Sequence, residues 1–230
     1  MQEEIQRKII TTADGSKTIH LPELNEHYHS KHGAINEAKH VFIKSGFDHI
    51  LSKNKSGSLD IMEIGFGTGL NAFITFLEAE KNNLPIYYVG VEGYPVALPE
   101  AKLMNYPEVL AVKEKQQVFD TMHQSLWELP VDITSNFKLV KRKQFFADII
   151  DENSFDLIYF DAFGARVQPE LWTIEIFRKM YEALRSRGVL VTYAAKGSVR
   201  RAMQEVGFVV ERLPGPPGKR EMLRATKVKS

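Results

Sequence analysis

The chain has 230 residues, 43% of them hydrophobic and 26% charged, which suits one globular core with an accessory segment. No apolar run approaches the ~20 residues of a membrane span, and Met1 to Glu4 do not open a secretory signal, so a cytoplasmic location is expected. Cysteine is absent, which excludes disulfides, thiolate metal sites and cysteine nucleophiles; the net charge is only +1.

From the N-terminus, Arg7 to Thr12, a turn at Ala13-Asp14-Gly15-Ser16 and Lys17 to Leu21 read as a hairpin. Asn25 to Leu51 reads as helical, with Ala34, Ile35, Ala38, Val41, Phe42 and Ile50 near a 3.6-residue period. Lys53 to Ser58 is a polar linker. Residues 1–57 are therefore expected to form a hairpin and helical lid, and 58–230 a second unit. There Leu59 to Ile64 predicts a strand, Leu70 to Ala79 a helix and Ile86 to Glu92 a strand. A helical stretch follows across Pro95 to Tyr106. Lys138 to Val140 is a short strand, and Phe145 to Ile150 leads back towards a helix. Asp156 to Asp161 is a buried-looking strand ending on a carboxylate. Glu175 to Ser186 is a helix stopped by Gly188, Val189 to Tyr193 a strand, and Ser198 caps a helix to Val206. Phe208 to Arg212 and Glu221 to Ala225 pair around a Pro/Gly turn. This alternation predicts an α/β fold with a doubly wound, mainly parallel, Rossmann-like sheet.

Ligands of such sheets sit beyond the carboxyl ends of the strands. Glu63-Ile-Gly65-Phe66-Gly67-Thr-Gly69 lies at one such end, and its glycines permit a tight turn and close backbone approach. The spacing misses the dinucleotide G-x-G-x-x-G by one position, and Glu63 adds negative charge where a pyrophosphate would lie. A zwitterionic ligand with an ammonium group fits better. Glu92 ends the next strand, 23 residues after Gly69, where a carboxylate accepts the hydroxyls of a ribose. Asp148 is placed either to receive an adenine amino group or to cap a helix. Together these features predict a class I S-adenosylmethionine-dependent methyltransferase rather than an NAD-linked oxidoreductase or a non-catalytic binding module.

Asp161 is the candidate catalytic residue. A carboxylate there accepts a hydrogen bond from an attacking amine and takes up its proton; the bland alternative is a structural cap. Phe163 and Trp172 either stack on a flat base or pack in the core. Five of the seven histidines fall between His27 and His49, but their spacing does not make a zinc pair, so no metal is expected and a polar lid is preferred. From Arg185 to Ser230 there are 11 Lys and Arg against 3 Asp and Glu, which suits a polyanion partner or a solvated basic tail ending in Lys227 and Lys229.

Several segments carry a more specific signal: Tyr28-His29-Ser30 with His32-Gly33, Glu37-Ala38 with His40-Val41-Phe42, and Glu63 to Asn71. Further along are Asp161-Ala-Phe163 with Gln168-Pro169-Glu-Leu-Trp172, Val199-Arg200-Arg201, and Gly218-Lys219-Arg220-Glu221-Met222. In that order, over nearly the whole chain, they resemble the methyltransferase half of the MnmC family of tRNA wobble-uridine modification proteins. The resemblance implies methylation of the primary amine of 5-aminomethyl(-2-thio)uridine in tRNA, giving the 5-methylaminomethyl product. It implies cofactor roles for Glu63, Gly65, Phe66, Gly67, Gly69, Glu92 and Asp148, amine contact for Asp161, and substrate-side positions for Lys219 and Arg220. The family's flavin oxidase domain has no counterpart in the sequence, so a stand-alone transferase, served by separate oxidase or aminomethyl-forming enzymes, is expected. The loop after the aspartate departs from the family's Gly-Phe-Ala-Pro, reading Ala162-Phe163-Gly164-Ala165 and then Arg166-Val167. Arg200 and Arg201 are candidates for tRNA phosphate contacts or members of a solvated helix face. The main alternative is a class I methyltransferase acting on a free small-molecule amine.

Overall fold

The computed structural model describes residues 6–53 and 57–228. The readings placed on Met1 to Glu4, on the Asn54 to Ser56 part of the linker and on Lys229 lie outside the described residues.

The N-terminal hairpin forms from β1 (Lys8–Thr11) and β2 (Lys17–Leu21), to which the short β3 (Glu26–His27) adds. The helix expected from Asn25 begins only with α1 (Ala34–Ala38). Asn25 takes a left-handed conformation (φ 46°) and Gly33 has φ 131°, so the chain between them turns repeatedly instead of coiling. From α1 the helix continues through a π-helical stretch (Lys39–Phe47) into α2 (Asp48–Lys53). Gly46 lets this stretch lie directly on the sheet, since a Cβ there would come within 2.9 Å of Val191 Cγ2.

The central sheet has eight strands: β4 (Leu59–Ile64), β5 (Ile86–Glu92), β6 (Pro130–Thr134), β7 (Phe137–Lys143), β8 (Phe155–Phe160), β9 (Leu184–Thr192), β10 (Phe208–Pro214) and β11 (Glu221–Lys227). Their order is β10-β11-β9-β8-β4-β5-β7-β6. The five central strands β9, β8, β4, β5 and β7 run parallel; β6 and the β10–β11 hairpin are antiparallel at the two edges. The sheet winds outward from β4 in both directions, so the switch in strand order falls at β4 and β8.

Helices cover both faces, which is why β4 and β8 read as near-continuous apolar runs. Alternate residues sort into two cores. Ile61, Tyr88, Leu139 and Tyr159 face the helix of residues 34–53, α3 (Leu70–Lys81) and, later in the chain, residues 116–124. Met62, Val89, Ile158 and Phe160 face the opposite layer. The helical stretch expected over Pro95 to Tyr106 resolves into two single turns, α4 (Leu98–Ala101) and α5 (Tyr106–Val109), because prolines recur in it. The next helix, α6 (Gln116–Gln124), and the edge strand β6 were not anticipated. Phe145 to Ile150 makes only a 3-10 turn.

In the second layer α7 (Ile174–Ala183) is capped by Thr173, whose hydroxyl accepts from the Ile176 N–H, and buries Ile176, Phe177, Met180 and Ala183 at helical spacing. It ends three residues before the expected stop and passes straight into β9 at Leu184. Its neighbour α8 (Gly197–Glu205) starts from Lys196 rather than from Ser198. No described helix is long and apolar enough to cross a membrane.

Candidate functional site

The parallel register brings the glycine turn and the aspartate out of the sheet side by side. Ile64 pairs with Phe160, the Asp161 N–H donates to the Ile64 carbonyl (2.9 Å), and the N–H groups of Gly65 and Phe66 both donate to Val91 O. Gly65 has φ +91°, and a Cβ on it would sit 2.8 Å from the Asp161 carbonyl oxygen. Only glycine permits that approach. Phe66 is buried over Gly90, where no side chain would fit, and so seats the loop on β5.

These ends surround an open-sided cavity of about 280 Å³. Of the expected cofactor residues, Glu63, Gly65, Phe66, Gly67 and Glu92 line it, as do Asp161 and Phe163. Gly69 lies behind the loop against His123 and opens α3 with φ +71°. Asp148 is exposed, next to the lining residue Ala147, and does not itself line the cavity. Tyr28, His29, Asn71, Tyr94, Phe145, Gln168, Glu170 and Leu171 also contribute to the wall. Apart from His29, which fell in the histidine-rich polar lid, none of these had been assigned a site role. Tyr28, His29, Asn71, Gln168, Glu170 and Leu171 lie inside the specific sequence segments, which was the available signal; Tyr94 and Phe145 carried none.

Among the described residues, four carboxylates and no lysine or arginine line this cavity. Such a wall repels a pyrophosphate and suits a ligand bearing sulfonium and ammonium charge, so the residues present fit S-adenosylmethionine. Glu92 sits at the rim, where its carboxylate accepts the N–H groups of Gly67 (3.0 Å) and Tyr94 (2.9 Å). Tyr94 and Phe145 meet edge to face at 5.8 Å and are largely exposed, an apolar bracket at the open side.

At the floor, Asn71 Nδ2 donates to Glu63 Oε1 (2.8 Å) and to Asp161 Oδ2 (2.9 Å), tying the two carboxyls together. Tyr88 donates its hydroxyl to Glu63 Oε2 at 2.9 Å. Burial raises the Glu63 carboxyl well above its usual range, against the lowering effect of these hydrogen bonds. A cation in the cavity is what would draw it back to the ionised form. Asp161 is pushed up to about 7, by burial first and then by the charge of Glu37; Asn71 and Lys219 oppose the rise. Half-buried and poised near neutrality, it can accept and release a proton.

The loop after Asp161 is held from behind. Tyr193 donates its hydroxyl to Ala162 O (2.8 Å), and Trp172 Nε1 donates to Phe163 O (2.8 Å). The stacking role considered for Trp172 is thereby corrected: the ring is buried against Phe160, Phe177 and Tyr193 and cannot reach a base. Phe163 does face the cavity, in edge contact with Tyr28 at 5.1 Å. Arg166, on the loop after Asp161, reaches Asn25 O and the Glu26 carboxylate and pins the loop to the N-terminal segment.

The surface cations divide. Arg201 and Arg220 are exposed, and Arg200 is half-buried with a shielded Nε that has no partner. Lys219 is turned inward instead, 2.7 Å from Glu37 Oε1. The histidines disperse: His20 stacks on His27, His29 bonds Thr18 at the cavity wall, and His40 Nε2 donates to Pro214 O.

A family model described as S-adenosyl-L-methionine-dependent methyltransferase matches residues 103–228. The tRNA 5-methylaminomethyl-2-thiouridine biosynthesis bifunctional protein MnmC of Polaromonas naphthalenivorans is 26% identical over 240 residues, covering 97% of this chain and 36% of that protein. The protein of the same name from Leptospira borgpetersenii is 28% identical over 211 residues, covering 85% of this chain and 31% of its own length. The chain thus spans about a third of the length of these curated relatives. Among solved structures, MNMC2 from Aquifex aeolicus superposes with a TM-score of 0.76 at 22% identity, over 100% of this chain and 73% of that one. Spermidine synthase from Thermotoga maritima shares the fold with a TM-score of 0.54 at 13% identity. With more than half of its length matched and a carboxylate-lined cavity at the switch point, the chain belongs to the S-adenosyl-L-methionine-dependent methyltransferase family.

Proposed function

We propose that the chain transfers a methyl group from S-adenosylmethionine to the primary amine of 5-aminomethyl(-2-thio)uridine at the tRNA wobble position, giving the 5-methylaminomethyl nucleoside. The observation that carries this reading is Asp161: a half-buried carboxyl near neutrality, beside the glycine turn and opening onto the same cavity. The names of the relatives supply the nucleoside, and the exposed Arg201 and Arg220 supply cations for phosphate contact, with Arg200 beside them.

When bound, S-adenosylmethionine supplies a methyl group on a sulfonium centre, open to in-line displacement. The amine must attack as the neutral base and becomes cationic as it does so. The Asp161 carboxylate accepts an N–H of the amine, stabilises the growing positive charge and takes up the proton. Asn71 fixes the carboxyl by its hydrogen bond to Oδ2, which leaves Oδ1 for the substrate. Glu92 would hold the ribose hydroxyls, Glu63 the ammonium group, Tyr94 and Phe145 the adenine ring, and Asp148 its amino group. Tyr28, Phe163 and Leu171 limit water at the reacting centre. On this reading the protein works in the cytoplasm, on tRNA that already carries the aminomethyl group.

The test is mass spectrometry of nucleosides from tRNA carrying 5-aminomethyl-2-thiouridine, after incubation with the protein and methyl-labelled S-adenosylmethionine. A single labelled methyl on that nucleoside is expected. Labelling of free polyamines or other small amines, with none on tRNA, would overturn the reading in favour of a small-molecule methyltransferase.

A further inference from the structure

The Glu37–Lys219 pair has no part in the chemistry above, yet it joins the two ends of the fold beside Asp161. Glu37 lies on α1 and is only 6% exposed. Its Oε2 accepts the Ser30 N–H (2.8 Å), and its Oε1 accepts Lys219 Nζ (2.7 Å). Lys219 comes from the turn between β10 and β11, 182 residues away in sequence. Its ammonium stands 3.7 Å above the Tyr193 ring, whose hydroxyl grips the carbonyl of Ala162, next to Asp161. The same turn is docked twice more on the N-terminal segment: His40 bonds Pro214 O, and Gly218 (φ +85°) leaves no room for a Cβ against the His32 ring. A lysine built for phosphate contact would project into solvent. This one is clamped between the Glu37 carboxylate and the Tyr193 ring, and Tyr193 in turn holds the Ala162 carbonyl next to Asp161.

We propose that Glu37 and Lys219 form a positioning pair for Asp161, in which Lys219, held by Glu37 and the Tyr193 ring, supports that carboxylate as acceptor of the substrate's proton. The inference rests on Asp161 being the proton acceptor of the proposed reaction. Among the described residues, Asn71 from α3 hydrogen-bonds Asp161, and the groups coupled to it through charge are Glu63 and Tyr88 from β4 and β5, Glu37 from α1, Tyr193 just after β9, and Lys219 from the turn. Three of these six carry formal charge, and Lys219 is the one cation among them. Glu37 raises Asp161 and Lys219 lowers it. The pair therefore holds two opposed charges near a third, and loss of either member shifts Asp161 in a defined direction. Without Lys219 the charge of Glu37 acts unopposed and Asp161 holds its proton to higher pH, which leaves less of the carboxylate to accept a proton. Without Glu37, Asp161 ionises more readily.

The experiment is a carbon-13 NMR titration of the Asp161 carboxyl in the full chain with S-adenosylmethionine bound, its signal assigned by absence in Asp161→Asn. It is run beside pH profiles of kcat/KM for methyl transfer to tRNA. In Lys219→Met the midpoint is expected to rise by about one pH unit, the lower end of what a near charge does to a carboxylate. Lys219→Arg should leave it in place, Glu37→Gln should lower it, and Glu37→Gln with Lys219→Met should return it towards wild type. The acid limb of kcat/KM should follow the same order, because the free substrate's own titration is common to all variants. A midpoint unmoved in Lys219→Met, with only a fall in rate, would overturn the proposal and leave the pair a structural clasp. Should that variant fail to fold, the downward shift in Glu37→Gln decides alone. A wild-type protein that methylates no tRNA amine would sink the proposed substrate, while the NMR midpoints would still read the pair's effect on Asp161.

Discussion

Replacing Asp161 by asparagine should make the protein more stable and nearly inactive, by an amount that depends on pH. The substitution keeps the shape of the side chain and an oxygen to receive the Asn71 amide. The folded carboxyl titrates at about 7 against 3.8 for the free group, so the native state binds this proton more tightly than the unfolded chain does. Stability therefore falls as pH rises from 4 through 7, because the unfolded state sheds its proton first. At about 1.4 kcal/mol per unit, the three-unit gap amounts to roughly 4 kcal/mol by pH 8 and almost nothing below pH 4. Asparagine carries no such penalty. Urea denaturation of both proteins at pH 4 and pH 8 should show curves that nearly coincide at the lower pH and separate at the higher, with the variant more stable. Methyl transfer should drop by about 10²-fold or more, the usual worth of a positioned base, while calorimetry finds S-adenosylmethionine bound as before. Equal stability at both pH values would refute the account of a desolvated carboxylate, and undiminished turnover would refute its role.

Three further outcomes test the site and its frame. Gly65→Ala places a Cβ 2.8 Å from Asp161 O at positive φ, so a loss of about 1–3 kcal/mol in denaturation and a clear loss of S-adenosylmethionine affinity in calorimetry are expected. Trp172→Ala should destabilise by about 3–5 kcal/mol, as a core truncation does, with the circular-dichroism melting point as the readout; an unchanged melting point would return the ring to the substrate side. Arg200→Ala with Arg201→Ala should weaken tRNA binding and flatten its dependence on log salt by about one to two units, while leaving cofactor affinity intact. A binding curve that does not move would assign both arginines to a solvated helix face.

The strand–helix alternation was legible in the sequence because β4, β5 and β8, buried on both faces, are apolar runs ended by a glycine or a carboxylate. Glu63, Gly65 to Gly69, Glu92 and Asp161 could be named for the same reason: a residue at the end of such a strand falls at the cofactor end of the sheet by topology alone. Elements lacking that punctuation were missed or misplaced. The edge strand β6 is half-exposed and pairs only with β7, and the α4–α5 region is broken by prolines.

Local pattern and strand order were thus enough for the central parallel strands, the glycine turn and the carboxylates at its mouth. Only the tertiary structure decided what long-range contacts make. It carried Tyr28 and His29 from the N-terminal segment into the cavity wall, sank Trp172 into the core, and left Asp148 exposed beside that wall. It also gave Lys219, expected only on the substrate side, Glu37 as its partner, because a charge 182 residues away is invisible to any local pattern. Desolvation, which raises Asp161 towards neutrality, is likewise a property of everything packed around the residue and of no segment that contains it.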